Sequence, residues 1–182
     1  MKKFILSTSL FLIGIVGFLF LSACSSSDDE ENDGINKRDK IKVEYSINLD
    51  DNWYKFFDIE MTYNAGLGEK TEKLTEDWVF NYELPYELCP KMFVCKVIAK
   101  PKSSAPAIED GKTYSLGCSC TASAAAYFKN GQQDLTFGMN GSKISNDEYS
   151  SATMSKYILK EHTIFTYTLN TNDEPTLKRG IF

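Results

Sequence analysis

Apolar and polar residues alternate along most of the chain beyond residue 40. In Val43-Glu44-Tyr45-Ser46-Ile47-Asn48-Leu49 the alternation is unbroken, which predicts a strand with one face buried. Asp50-Asp51-Asn52 reads as a turn. Phe57, Ile59, Met61 and Tyr63 then share one face, and Asp58, Glu60 and Thr62 the other. Asn64-Ala65-Gly66-Leu67-Gly68 supplies glycines for a reversal and predicts a hairpin into 69–74. Trp78, Phe80, Tyr82 and Leu84 form another alternating face, ended by Pro85. Residues 92–100 are apolar on both faces, which predicts an interior strand. A loop with Pro101, Pro106 and Gly111 follows.

Residues 113–128 read as one long strand or a broken pair. The alanines at 122–126 leave a helix open, although Tyr114, Leu116 and Cys118 keep strand spacing. Asn130-Gly131 is a strong hairpin signal, and Leu135, Phe137 and Met139 alternate after it. A helix is predicted over 150–161, with a serine cap at 150 or 151 and a stripe of Met154, Tyr157 and Ile158. Residues 163–169 return to strand, with Phe165, Tyr167 and Leu169 inward. The whole pattern predicts an all-β fold: an antiparallel β-sandwich of about seven to nine strands with one short helix. A closed barrel is the alternative.

The first residues carry a different pattern. Lys2 and Lys3 precede an apolar stretch that is densest from Leu10 to Leu21, and Leu21-Ser22-Ala23-Cys24 closes it with small residues before a cysteine. This reads as a secretory signal over 1–23. The run at 21–24 resembles the lipobox of bacterial lipoproteins. That resemblance implies thioether diacylglycerol on Cys24, cleavage before it, and acylation of the new amine. Buried acyl methylenes each contribute about 0.8 kcal/mol, so several chains make attachment effectively permanent. An uncleaved membrane helix is the alternative reading of the stretch.

Ser27, Asp28, Asp29, Glu30 and Glu31 follow closely. An acidic run so placed resembles the export signal of surface-exposed Bacteroidota lipoproteins. It implies an outer-membrane location with the domain facing the cell exterior. A solvated tether explains the same charges, and both readings can hold together. The expected organisation is signal peptide 1–23, lipidated acidic tether 24–40, β-sandwich 41–170 and C-terminal tail 171–182. As a random coil the tether spans on the order of 20–25 Å.

Composition narrows the function classes. Aromatics make up 13% of the chain, enough to build a substantial core. The formal charge is −5, and much of it sits in the acidic run. No basic stripe suits nucleic acid, so the membrane, through the lipid, and a glycan or protein ligand are the expected partners.

Beyond Cys24 the cysteines are Cys89, Cys95, Cys118 and Cys120, an even number in an oxidising compartment. Cys118 and Cys120 share a strand face about 6.5–7 Å apart, awkward for a disulfide between them. If 92–100 and 113–121 form a hairpin closing at Lys100 and Thr113, Cys95 falls opposite Cys118. Cys120 then falls toward Cys89. The candidate bridges are therefore Cys95–Cys118 and Cys89–Cys120, with buried free thiols or a thiolate metal site as alternatives. The gaps between cysteines do not match the C-x-x-C of zinc sites, so no metal or cofactor is expected.

No nucleophile, metalloprotease, phosphate-loop or dinucleotide motif occurs. His162 is a lone histidine between helix and strand, expected to be structural. Asp58 and Glu60 share a face at a spacing that suits glycoside hydrolysis, and equally suits an ordinary solvent face. Tyr54, Tyr114, Tyr127 and Tyr149 are candidates for stacking on sugar rings. The expectation is a non-enzymatic, surface-anchored binding or accessory module. A glycan hydrolase or a cysteine-based metal-handling lipoprotein are the alternatives.

Overall fold

A computed structural model of the chain describes residues 37–171. The signal, Cys24, the run Ser27, Asp28, Asp29, Glu30 and Glu31, and the tail from 172 lie outside the described residues. Within them the chain forms an antiparallel β-sandwich of two four-stranded sheets. The elements are β1 (Arg38–Leu49), α1 (Asp51–Phe56), β2 (Phe57–Ala65), β3 (Gly68–Leu74), β4 (Trp78–Pro85), β5 (Met92–Pro101), β6 (Thr113–Phe128), β7 (Gln133–Ser150), α2 (Ser151–Tyr157) and β8 (His162–Asn170). A single 3-10 turn, Tyr86–Leu88, joins β4 toward β5.

The first sheet runs β4-β1-β6-β7 and the second β3-β2-β5-β8. Alternation along β1, β2 and β8 does what it predicts, whereas Leu135 of β7 is exposed. Ile41, Val43, Tyr45, Ile47 and Leu49 of β1 are buried, as are Phe57, Ile59, Met61 and Tyr63 of β2. Phe165, Tyr167 and Leu169 close the core from β8. The alanines at 122, 124 and 126 are buried in a strand, not a helix. They leave room for Tyr45, which is fully buried and meets Tyr63 edge-on at 5.8 Å.

Both predicted hairpins form. Ala65 pairs with Gly68, and Gly66 takes a positive φ of 73° that favours glycine. Gly131 donates to the Phe128 carbonyl at 2.9 Å. Near the start of β7 the register against β6 shifts beside Ala125, the mark of a bulge. Gly138 sits there at φ +99°, where a β-carbon would lie 2.0 Å from the Ala124 carbonyl oxygen.

Four expectations need correction. β1 starts at Arg38 rather than 41, because Lys40 already pairs with Pro85. The turn at 50–52 becomes a short helix, since Trp53 and Phe56 gain burial by turning inward. α2 ends at Tyr157 rather than 161, because His162 Nε2 and the Lys160 amide both engage the Tyr157 carbonyl. Its start is as read, with the Ser150 hydroxyl accepting from the Thr153 amide. Finally, β5 and β6 do not pair. β5 lies between β2 and β8, and β6 between β1 and β7, so the connection after Pro101 crosses between sheets.

The connections give the sandwich two distinct poles. The β1–β2 and β7–β8 connections, through α1 and α2, lie at one pole. The start of β1, the end of β4, the start of β5 and the end of β8 lie at the other, since Lys40 pairs with Pro85 and Met92 with Asn170. Both ends of the described chain therefore emerge at the same pole. Thr171 is docked there, its amide donating to the Lys91 carbonyl at 2.9 Å and its hydroxyl to Pro90 at 2.6 Å.

Candidate functional site

At the helical pole, α1 is clamped to β6. The Asp50 amide donates to the Gly117 carbonyl at 3.0 Å, and the Gly117 amide donates back to Asp50 Oδ2 at 2.7 Å. Trp53 Nε1 donates to the same Gly117 carbonyl at 3.1 Å. An added β-carbon at Gly117 would sit 2.7 Å from Asp50 Oδ2 and would push away the carboxylate that the Gly117 amide holds. Rings complete the closure: Trp53 meets Phe57 at 5.3 Å, and Tyr157 stacks on His162 at 3.7 Å and 3°.

Beside this closure is a cleft of about 160 Å³, lined among others by Tyr54, Asp58, Lys73, Leu74, Thr75 and Lys102. Antiparallel pairing of Ile59 with Leu74 brings the end of β3 against the start of β2. Lys102, just after β5, is fixed by donating to the Tyr54 carbonyl at 2.9 Å. Two ammonium groups thus share one concave surface with a tyrosine and a single carboxylate. An arrangement of this kind suits a small ligand with an anionic group and an apolar face.

The other chemical cluster is sulfur. Tyr114, Leu116, Cys118, Cys120 and Ala122 alternate along the inner face of β6. Cys118 and Cys120 are next neighbours on this face, and the Ser145 hydroxyl contacts Cys118 Sγ at 3.3 Å. Across the pairing with β7, Cys118 faces Ser145 and Cys120 faces Lys143. Lys143 reaches over the core to donate to the Ile164 carbonyl at 2.7 Å. The Cys120 thiol, supported despite burial by Ser145 and Lys143, draws Cys118 down toward the thiolate. Cys120 is driven up by its neighbour and by burial. Cys95 stands on β5 in the other sheet, its thiol pushed up to about 12 by burial.

The candidate bridges Cys95–Cys118 and Cys89–Cys120 do not form, and all four side chains are free thiols. Their pairing rested on a β5–β6 hairpin that the sheet order replaces. Cys89 follows the 3-10 turn at the pole of the chain ends. Cys120 pairs with Ile47, near the other pole.

At the pole of the chain ends, a charged latch joins β1, β7 and the 3-10 turn. Arg38 Nε donates to Asp134 Oδ2 at 2.6 Å and Nη1 donates to the Tyr86 hydroxyl at 2.5 Å. The guanidinium also lies over Phe137, 5.1 Å from the ring centroid. Asp134 is buried. Burial opposes its charge, but the bonds from Thr136 and Arg38 outweigh it and hold the carboxyl below its ordinary value.

The remaining residues singled out by sequence are accounted for structurally. Tyr114 is buried, its hydroxyl accepting from the Glu109 amide at 2.8 Å. Tyr149 packs against Tyr157 at 4.6 Å, and Lys42 covers the Tyr127 ring at 5.2 Å. Of the four tyrosines only Tyr54 lines the cleft. Glu60 gives both oxygens to Lys100 at 2.9 Å, so Asp58 and Glu60 do not form a free pair. His162 is spent on the Tyr157 carbonyl and ring. Lys73, Lys102, Lys143 and Ser145 were not singled out in the sequence. Their neighbours come from distant segments, and no local spacing announces them.

Among the described residues no group of three or more His, Cys, Asp or Glu converges as a metal site. No helix among them is long and apolar enough to cross a membrane. No family model, curated protein or solved structure matches the chain.

Proposed function

We propose that the protein is a lipoprotein anchored through Cys24 and exported to the cell surface by its acidic run. There the sandwich acts as a non-enzymatic binding or accessory module. The observation that carries this reading is polarity. Both ends of the described chain emerge at one pole, while the cleft of Tyr54, Asp58, Lys73 and Lys102 lies at the other. The first described residue, Lys37, thus lies at the pole opposite the cleft.

The cleft chemistry favours a sugar bearing a carboxylate. Lys73 and Lys102 supply charge for the acid, Tyr54 and Leu74 supply apolar contact for the ring, and Asp58 and Thr75 accept hydroxyls. The full chain in detergent, titrated with uronic-acid-terminated oligosaccharides and their neutral counterparts, tests this. The acidic sugars should bind preferentially, and joint Lys73→Met and Lys102→Met substitution should weaken them at least about tenfold, or 1.4 kcal/mol. Equal binding of neutral sugars, or an unaffected double variant, would contradict the assignment.

A further inference from the structure

We propose that Cys118 and Cys120 form a two-coordinate site for a soft monovalent cation of the cuprous class, independent of the cleft and of what the cleft binds.

The backbone sets the ligand spacing. Residues 118–120 keep regular register against β1 on one side and β7 on the other. A strand so held cannot pucker to bring the two β-carbons to the roughly 3.8 Å that a disulfide requires. A bridging ion relaxes that demand. Metal–thiolate bonds of about 2.3 Å hold two sulfurs about 4.5 Å apart across a linear ion, against about 2.05 Å in a disulfide. Two neighbouring thiols on one face of a strand in regular register can reach the first geometry by side-chain rotation but not the second.

Ligand type selects the ion. Sulfur alone is soft and favours cuprous copper over harder divalent cations. Two ligands suffice for a linear ion, whereas zinc sites need three or four, and no group of three His, Cys, Asp or Glu converges among the described residues.

Charge is the next consideration. Binding releases the two thiol protons, so one cation and two thiolates leave a net charge of −1. An uncompensated buried anion is costly. Lys143 sits directly across the strand pair from Cys120, and Ser145 across from Cys118 with its hydroxyl on the sulfur. Together they offer one positive charge and one hydrogen bond to a complex carrying one negative charge. Cys118 is 5% exposed and Cys120 fully buried. Burial of both sulfurs shields the bound ion from oxidation by solvent.

The test is competition for Cu(I) between the reduced full chain in detergent and bathocuproine disulfonate under anaerobic conditions. The wild type should retain a single ion per chain. Cys118→Ser and Cys120→Ser should each abolish retention, while Cys89→Ser and Cys95→Ser keep it. Lys143→Met leaves both sulfurs in place and should weaken retention about 10–100-fold, the usual effect of an outer-shell partner. X-ray absorption of the wild-type complex requires no variant and should find two sulfur neighbours. No retention by the wild type, retention by Cys118→Ser, or loss in Cys95→Ser would overturn the proposal. So would three or more sulfur neighbours.

Discussion

At the helical pole the sandwich is shut by rings: Trp53, Phe57, Tyr157 and His162 interlock beneath α1 and α2. At the pole of the chain ends it is shut by charge, with Arg38 bound to Asp134 and Tyr86 and lying over Phe137. The two solutions differ in what disturbs them. Apolar closure depends on shape and area, so a lost ring leaves a cavity. The ionic latch depends on protonation and on both partners being present. The pole of the chain ends, held by the Asp134 carboxylate, is therefore the one whose closure responds to acid.

The largest effect should come from the helical pole. Trp53→Ala removes a buried ring and its bond to Gly117, and should cost about 3–5 kcal/mol in denaturant unfolding. Breaking the latch by Asp134→Asn should cost less, about 2 kcal/mol at neutral pH, the range of a hydrogen bond to a charged group.

The pH dependence then separates the two. Asp134 has a depressed carboxyl in the folded state. Its contribution is therefore complete above the unfolded value of about 3.9 and is lost as pH falls through the lower folded value. The stability gap between wild type and Asp134→Asn should close in that acidic window. The gap between wild type and Trp53→Ala should not. A latch gap unchanged by acid would show that packing of Phe137 and Tyr86, not the ion pair, holds that pole. The smallest effect should be Ser150→Ala, which removes the α2 cap and should cost about 1 kcal/mol.

The inner faces of β1, β2 and β8 were legible because each buries one alternating set of side chains, β4 because its alternating aromatics half-bury the same way, and β5 because it is apolar on both faces. The glycine hairpins and the Ser150 cap were legible because each needs a particular residue at a particular place. The second half of β7 was not. Its inward positions are Gly141, Lys143 and Ser145 at the rim of the core, so apolar alternation vanishes on an edge strand. Gly141 is small for a reason outside its own segment: a β-carbon there would meet Tyr167 at 2.6 Å. The sheet switch after β5 was hidden too, because a connection of the length of 102–112 fits a hairpin or a crossing equally well. That error carried into the cysteine pairing. The cleft was hidden for a related reason. Tyr54, Lys73 and Lys102 come from three segments that only the β2–β3 and β2–β5 pairings bring together.

The proposed surface display is tested most directly by protease treatment of intact cells. The wild type is compared with a variant in which Asp28, Asp29, Glu30 and Glu31 are alanine. The domain of the wild type should be digested and that of the variant protected, which would place the cleft outside the cell with the acidic run as its export signal. Protection of both would contradict surface display and turn the search for a ligand to the periplasmic side of the envelope.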